Sequence, residues 1–358
     1  MKVLFGVSDW GLGHATRSIP LISALLKKGD EVHIVSAGRA MKLLKNYFRK
    51  KCIYFDIVLE GAIPRKNISS FILNSALSFF SVLKNLTFFR NRIKTIIKKE
   101  KYDLVVSDCR ADVYDRPDNS ILINHQLRFR VPFLEVIVEL ILGKLMGKYG
   151  KVIVPDFPGR ELSGDLSYNR FYEGEVHYIG ILSHVKKKKM PKDIDFFVTL
   201  SGPEPWRGEL EKKIREQVLS LKGKIVVALA KPEQNKLEKT KNVTFYSFLK
   251  REKQAEMMNR AKFIITRSGY TTVMEVAEIG NKNVLFIPTP GQTEQEYLGD
   301  YYENRKYFHH TSQNDLNLQK DIRAALNFKG LKCPWKTEKS IKNAMKVICE
   351  SERQLDFK

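Results

Sequence analysis

The feature that most constrains this chain is a unit that occurs twice: a short apolar run, a turn of small residues, then a helix. The first copy starts at the N-terminus. Val3 to Val7 is apolar, and Ser8-Asp9-Trp10-Gly11-Leu12-Gly13-His14 follows it. A run that short is a buried strand rather than the core of a signal peptide. A helix from about Ala15 to Lys28, the turn Gly29-Asp30 and a strand from Glu31 to Ser36 come next. Apolar runs at Asp103 to Ser107, Ser120 to Asn124 and Lys151 to Pro155 continue the rhythm, with a helix expected over Pro132 to Lys148. Strands alternating with helices predict an α/β fold with a parallel, doubly wound sheet.

The second copy begins at Asp195 to Leu200, followed by Ser201-Gly202-Pro203 and a helix over Trp206 to Leu221. Strands at Lys224 to Leu229, Asn242 to Tyr246, Phe263 to Thr266 and Val284 to Ile287, and a helix over Thr271 to Ile279, complete it. At about 150 residues per domain, 358 residues make two domains. The lysine-rich stretch Tyr178 to Asp195, with Pro191, reads as the linker. The expected division is a Rossmann-like domain over residues 1–180, a second over 181–334, and a last helix over 335–358 that crosses back to the first. The two domains are expected to face each other across a cleft, with ligand beyond the carboxyl ends of the strands.

Charge narrows the partner. Sixty-two Lys and Arg against 40 Asp and Glu give a net charge of +22. Such an excess calls for an anionic partner: nucleic acid, a phosphate-bearing substrate or an anionic membrane surface. Only four cysteines exclude a disulfide scaffold, and the absence of a CxxC pair or Cys/His cluster among them disfavours structural zinc; a reducing compartment such as the cytosol fits. No stretch is apolar and long enough to span a bilayer. Phe71 to Phe89, flanked by Arg65, Lys66, Arg90, Arg92 and Lys94, reads either as an interfacial helix on an anionic membrane or as a core helix.

Three turns carry candidate chemistry. Gly11 and Gly13 precede His14 where strand one passes into its helix, so free N–H groups face a ligand there. A dinucleotide fingerprint needs a third glycine where Thr16 stands, and no acid ends strand two. NAD is thereby disfavoured, while Ser36 and Arg39 leave NADP open. A helix N-terminus lowers a histidine pKa, which predicts a neutral His14 able to accept a proton. Asp108, just past a strand end, is the alternative base or a cap. His125 and Gln126 are weaker acceptor-side candidates. In the second turn, Ser201 and Gly202 offer backbone N–H groups to a diphosphate. The third, Thr266-Arg267-Ser268-Gly269-Tyr270-Thr271-Thr272-Val273-Met274-Glu275, is the strongest: a polar glycine turn opening a helix, with Glu275 one turn in to accept ribose hydroxyls. One strand later, Pro288 to Tyr297 ends in amides and carboxylates suited to sugar hydroxyls. Asp193-Ile194-Asp195 precedes a strand rather than following one, which argues against a metal motif.

These residues resemble the MurG-like family of GT-B glycosyltransferases, which includes the lipid II enzyme and the monogalactosyldiacylglycerol synthases. The resemblance rests on Gly11-x-Gly13-His14, on Arg267-Ser268-Gly269-x-x-Thr272-x-x-Glu275 followed by Gly280, and on Pro288 with Gln295-Glu296-Tyr297. It implies a UDP-sugar donor, UDP-GlcNAc by default, held by the second domain. Glu275 would bind the ribose, and Ser268 and Gly269 with Ser201 and Gly202 the diphosphate. Arg267 and Thr272 belong to the same motif, Arg267 with a role open between binding and structure. Phe248 and Leu249 would lie at the uracil, and Gln295 and Glu296 at the donor sugar. Transfer with inversion, no cofactor and no bound metal are implied. So are a lipid-linked acceptor or anionic membrane as partner, and a cytoplasmic, peripheral location. Three departures stand out. The turn Ser201-Gly202-Pro203-Glu204-Pro205 replaces a more glycine-rich family turn, leaving fewer free N–H groups. Glu296 replaces a second Gln of the lipid II enzyme, and the glycine run before His14 is shorter. A UDP-sugar 2-epimerase of the same fold and a basic nucleic-acid binder are the alternatives; no RNA- or DNA-binding motif is visible, so nucleic acid is not the expected partner.

Overall fold

The computed structural model describes residues 1–9, 12–58, 90–129 and 134–356, with side chains to residue 351. The chain divides into two compact units, residues 1–184 with 335–358, and residues 185–334.

The first unit is a seven-stranded parallel sheet. Its strands are β1 (Lys2–Val7), β2 (Glu31–Ser36), β3 (Ile53–Asp56), β4 (Leu104–Asp108), β5 (Ser120–Ile123), β6 (Lys151–Val154) and β7 (Glu175–Tyr178), in the order β3-β2-β1-β4-β5-β6-β7. The central strands are buried along their length because helices cover both faces, which is why they read as unbroken apolar runs. The helices are α1 (Leu12–Lys28), α2 (Gly38–Phe48), α3 (residues 90–100), α4 (Glu135–Met146) and the terminal α10 (Thr337–Asp356). Leu4, Val35, Val105 and Val113 pack with Ile93 and Ile97 of α3 on one side. The α10 segment is tied to this unit by Trp335 Nε1 donating to Ile179 O (2.9 Å) and by Ser183 N donating to Thr337 Oγ1 (3.1 Å).

The second unit repeats the plan. Strands β8 (Ile194–Thr199), β9 (Ile225–Ala228), β10 (Leu237–Lys239), β11 (Val243–Tyr246), β12 (Ala261–Thr266), β13 (Val284–Phe286) and β14 (His309–His310) run in the order β10-β11-β9-β8-β12-β13-β14. Only the β10–β11 pairing is antiparallel. Helices α5 (Trp206–Gln217), α6 (Arg251–Arg260), α7 (Tyr270–Ile279), α8 (Thr293–Asn304) and α9 (Leu318–Ala325) connect the strands. Val198, Ile225, Val227, Ile265 and Leu285 pack against Leu210 and Ile214 of α5 and Ile322 of α9.

The regular run of strands and helices follows the sequence reading, with differences at the ends. The helix expected over Pro132 to Lys148 is the shorter α4, and residues 130–133 lie outside the described residues, as do Gly11 and Phe71 to Phe89. Strand β7 occupies part of the expected approach to the linker, and β3, β10 and β14 were not foreseen. All four are edge strands of two to four residues, too short and too exposed for a clear apolar run.

Topology fixes where ligands go. In each sheet the chain first winds one way and then the other. The reversal falls between β1 and β4 in the first unit and between β8 and β12 in the second. Crevices at such points, beyond the strand carboxyl ends, are where open α/β sheets bind ligands. Each of the four strand ends leads into a motif singled out above: His14 after β1, Asp108 on β4, Ser201-Gly202 after β8, and Arg267 to Gly269 after β12.

Candidate active site

In the first unit, β1 and β4 pair in parallel with Val7 beside Asp108. That register brings the start of α1 over the end of β4. His14 Nδ1 lies 2.9 Å from Asp108 Oδ1. One turn on, Arg17 Nε donates to both carboxylate oxygens at 3.1 and 3.0 Å, with a further Nη2 contact, and Ser18 Oγ donates to Oδ2 at 2.7 Å. Arg17 also reaches His125 Nδ1 (2.9 Å) and Cys109 Sγ (3.2 Å). His14, Arg17 and Ser18 share one helix face because they are spaced i, i+3 and i+4. Asp108 and Arg17 are fully buried, whereas the His14 ring keeps about a fifth of its surface open.

Burial would raise the Asp108 pKa, but Arg17 and His14 more than offset it and hold the carboxyl well below the usual carboxylate range. Asp108, the alternative base of the sequence reading, is fully buried and bonded to His14, Arg17 and Ser18. Burial and Arg17 push the His14 pKa down, yet Cys109 and the Asp108 bond outweigh them and raise it to about 9. The expectation that the helix start would keep His14 neutral is therefore corrected: Cys109 and the Asp108 bond together hold the proton on. With Nδ1 held by Asp108, Nε2 is the nitrogen left to take a proton.

His125 is buried against Arg17, and Gln126 is half-buried, its N–H donating to Asn124 Oδ1 (2.9 Å). Gly13 is half-buried in the first turn of α1. His14, Asp108 and Cys109 offer ligand atoms within 4.8 Å of one another, and no other such trio occurs among the described residues. The Arg17 guanidinium already sits on the carboxylate and the sulfur, so a cation there would meet a fixed positive charge. Asp193 and Asp195 are held in ion pairs by Lys224 and Arg260 and by Lys262, which accounts for them without a metal.

In the second unit, Glu275 is buried on α7 and accepts from Arg251 Nη1 at 3.2 Å. Burial raises its pKa, with Arg251 opposing. Ser268 Oγ donates to Gln295 O (2.8 Å), and Gly269 caps α7 with no side-chain cap and no acid in the first turn. Thr272 is half-buried in that turn. Ser201 and Gly202 are exposed, and Gly202 has φ +104°, a conformation that favours glycine. Gln295 Oε1 accepts from Thr289 N (2.9 Å) and Glu296 Oε1 from Gly291 N (2.9 Å), so both side chains brace their own loop. Phe248 is exposed while Leu249 is buried. Arg267 turns inward. Its guanidinium donates to the carbonyls of Ser201, Trp206, Ile287 and Pro288 and to Gln313 Oε1.

Sequence reasoning missed Arg17, Ser18, Arg251, Thr289 and Gln313. The i, i+3, i+4 spacing from His14 was a usable signal for the first two. The others meet their partners only through tertiary packing.

Two family models match the chain. The glycosyl transferase family 1 model covers residues 1–115, and the glycosyltransferase family 28 C-terminal domain covers residues 205–354. An uncharacterized glycosyltransferase of Methanosarcina acetivorans is 24% identical over 332 residues, spanning 86% of this chain and 84% of the relative. MurG of Acinetobacter baumannii superposes with a TM-score of 0.56 at 14% identity, covering 99% of this chain and all of that one. The chain is a glycosyltransferase of the GT-B fold. The glycosyltransferase VinC, solved in complex with dTDP, has the same fold (TM-score 0.61, 13% identity, 99% of this chain and 100% of that one). In this glycosyltransferase the family 28 match holds every donor-side candidate except Ser201 and Gly202, and the family 1 match holds His14 and Asp108.

Proposed function

We propose that this enzyme moves a sugar, N-acetylglucosamine by default, from a UDP-sugar to an acceptor hydroxyl, with inversion and without a metal. The observation that carries the reading is the His14–Asp108 pair. An imidazole fixed at Nδ1 by a buried carboxylate is built to take a hydroxyl proton at Nε2. As the acceptor oxygen attacks the anomeric carbon, its proton passes to Nε2 and the bond to the diphosphate breaks. Asp108 stabilises the imidazolium that forms.

The donor reading is supported by Glu275 and the two turns. A buried carboxylate with one side-chain partner among the described residues has acceptor capacity left for two ribose hydroxyls. The turns at Ser201-Gly202 and Ser268-Gly269 open helices α5 and α7, whose N-terminal ends favour a diphosphate as it accumulates charge. A lipid-linked acceptor, met at an anionic membrane surface, is supported by α4. Val136, Ile137 and Leu140 are exposed on it, with Lys144 exposed on the same helix. No described helix is long and apolar enough to cross a membrane.

A thermal-shift panel with UDP, UDP-GlcNAc, UDP-glucose, UDP-galactose, GDP-mannose and NADP tests the donor. A ligand at one hundred times its Kd stabilises by about 2.7 kcal/mol. UDP and one UDP-sugar should raise the Tm, and Glu275→Ala should abolish both shifts. A shift with NADP alone would remove the donor assignment.

A further inference from the structure

Arg267 carries a charge that nothing nearby balances. Its guanidinium is fully buried, and all five of its partners are neutral: four backbone carbonyls and the Gln313 amide oxygen. Among the described residues no carboxylate contacts it. The nearest acid along its bonds is Glu209, one residue removed, which accepts from Gln313 Nε2 at 3.2 Å. Buried cations are ordinarily paired with acids, because taking an unpaired charge out of water is strongly unfavourable. The surroundings add to the anomaly. Helix α7 starts three residues later with no acid in its first turn, so another positive end points to the same region. Thr289 is also fully buried, and its Oγ1 has no partner among the described groups. A Cβ at Gly202 would lie 3.4 Å from that hydroxyl. Guanidinium, helix end and orphaned hydroxyl thus collect behind the Ser201-Gly202 and Ser268-Gly269 turns.

We infer that Arg267 is the counter-charge of the donor's diphosphate, acting through the turns it holds rather than by contact, and that it makes the site prefer nucleoside diphosphates over nucleosides. The inference rests on the nucleotide-donor reading above. Its physical basis is the poor screening of a buried charge. Across a low-dielectric interior, a cation that never touches the phosphates still attracts them strongly, and salt weakens the attraction little. The same charge would favour departure of the diphosphate as the sugar leaves, when its negative charge grows. Arg267 is accordingly a positioning residue with an electrostatic role. A purely structural clamp depends on the guanidinium fork, so it would fail in a lysine variant that keeps the charge.

The test is a comparison of ligand pairs by calorimetry on the full chain. The wild type is titrated with UDP and with uridine, and with the dTDP, GDP and ADP pairs in parallel. Arg267→Met should lower affinity for the nucleoside diphosphate by about tenfold or more while leaving the nucleoside within about twofold. Arg267→Lys, which keeps the charge but loses the fork, should retain the wild-type ratio. So should Gln313→Leu, which cuts the same tie but keeps the arginine. The same fall in ratio in Arg267→Lys as in Arg267→Met would overturn the inference and leave a structural clamp; equal losses for both ligands in Arg267→Met would overturn it too. If Arg267→Met does not fold, the lysine variant decides: a collapsed ratio there contradicts a role for charge. A pair other than uridine's would move the base assignment and leave the inference standing. No binding of any nucleoside diphosphate by the wild type would remove both the donor reading and the inference.

Discussion

Asp108 holds three side chains of α1 at once, and the consequences differ for each. Among the described residues, it is the only carboxylate bonded to the fully buried guanidinium of Arg17. Asp108→Asn should therefore destabilise the protein by about 3–5 kcal/mol, the usual cost of stranding one partner of a buried pair. Denaturant unfolding measures it, and a loss below about 1 kcal/mol would mean that water reaches Arg17. For His14, Asp108 is one of the groups that keep the proton on. The base works only when neutral, and its pKa lies near 9 in the resting protein. The rate at low substrate should then climb with pH, about tenfold per unit, and level off near 9. Cys109→Ala removes one of the raising influences, so its plateau should begin at lower pH. An identical profile in the two proteins would show that another group controls the limb. His14 was legible in the sequence from its place after a glycine turn. Its charge state was not, because that depends on a carboxylate 94 residues away that only the β1–β4 pairing brings within reach.

At the scale of elements, the strands that flank each reversal were readable because they are buried on both faces and so nearly all apolar. Edge strands were not, since β10 is exposed at all three of its residues. Helix α4 shows the limit of pattern reading. Its sequence is apolar almost all round, which reads as a fully buried helix. Yet Val136, Ile137 and Leu140 are exposed, while the buried Glu139 sits between Arg128 (3.0 Å) and Arg170 (2.8 Å). The polar network faces inward and the apolar face outward, the reverse of a helix made for water. Beside Lys144 and Arg170, that face suits an anionic bilayer. Co-sedimentation with phosphatidylglycerol vesicles should capture the wild type. Binding should fall at least about tenfold for Val136→Glu combined with Ile137→Glu, and fall with salt. Equal capture of both proteins would exclude α4 as the docking element.

At the scale of the whole molecule, each α/β unit carries its own set of candidate groups. The unit with residues 1–184 holds the His14–Asp108 pair, and the unit with residues 185–334 holds glycine turns, helix ends and a buried carboxylate. The net charge of +22 is consistent with substrates and surfaces that are anionic. What the sequence left open, the acceptor and the sugar, depends on side chains that line a pocket without following any period. The most direct measurement is UDP release from a panel of UDP-sugars, supplied with a pool of hydroxyl acceptors, by wild type and His14→Ala. One UDP-sugar should give release with the wild type. His14→Ala should lose at least about a hundredfold in rate, the usual size of a general-base contribution, while still binding UDP. Equal rates in the two proteins, or no release with any UDP-sugar, would contradict the account.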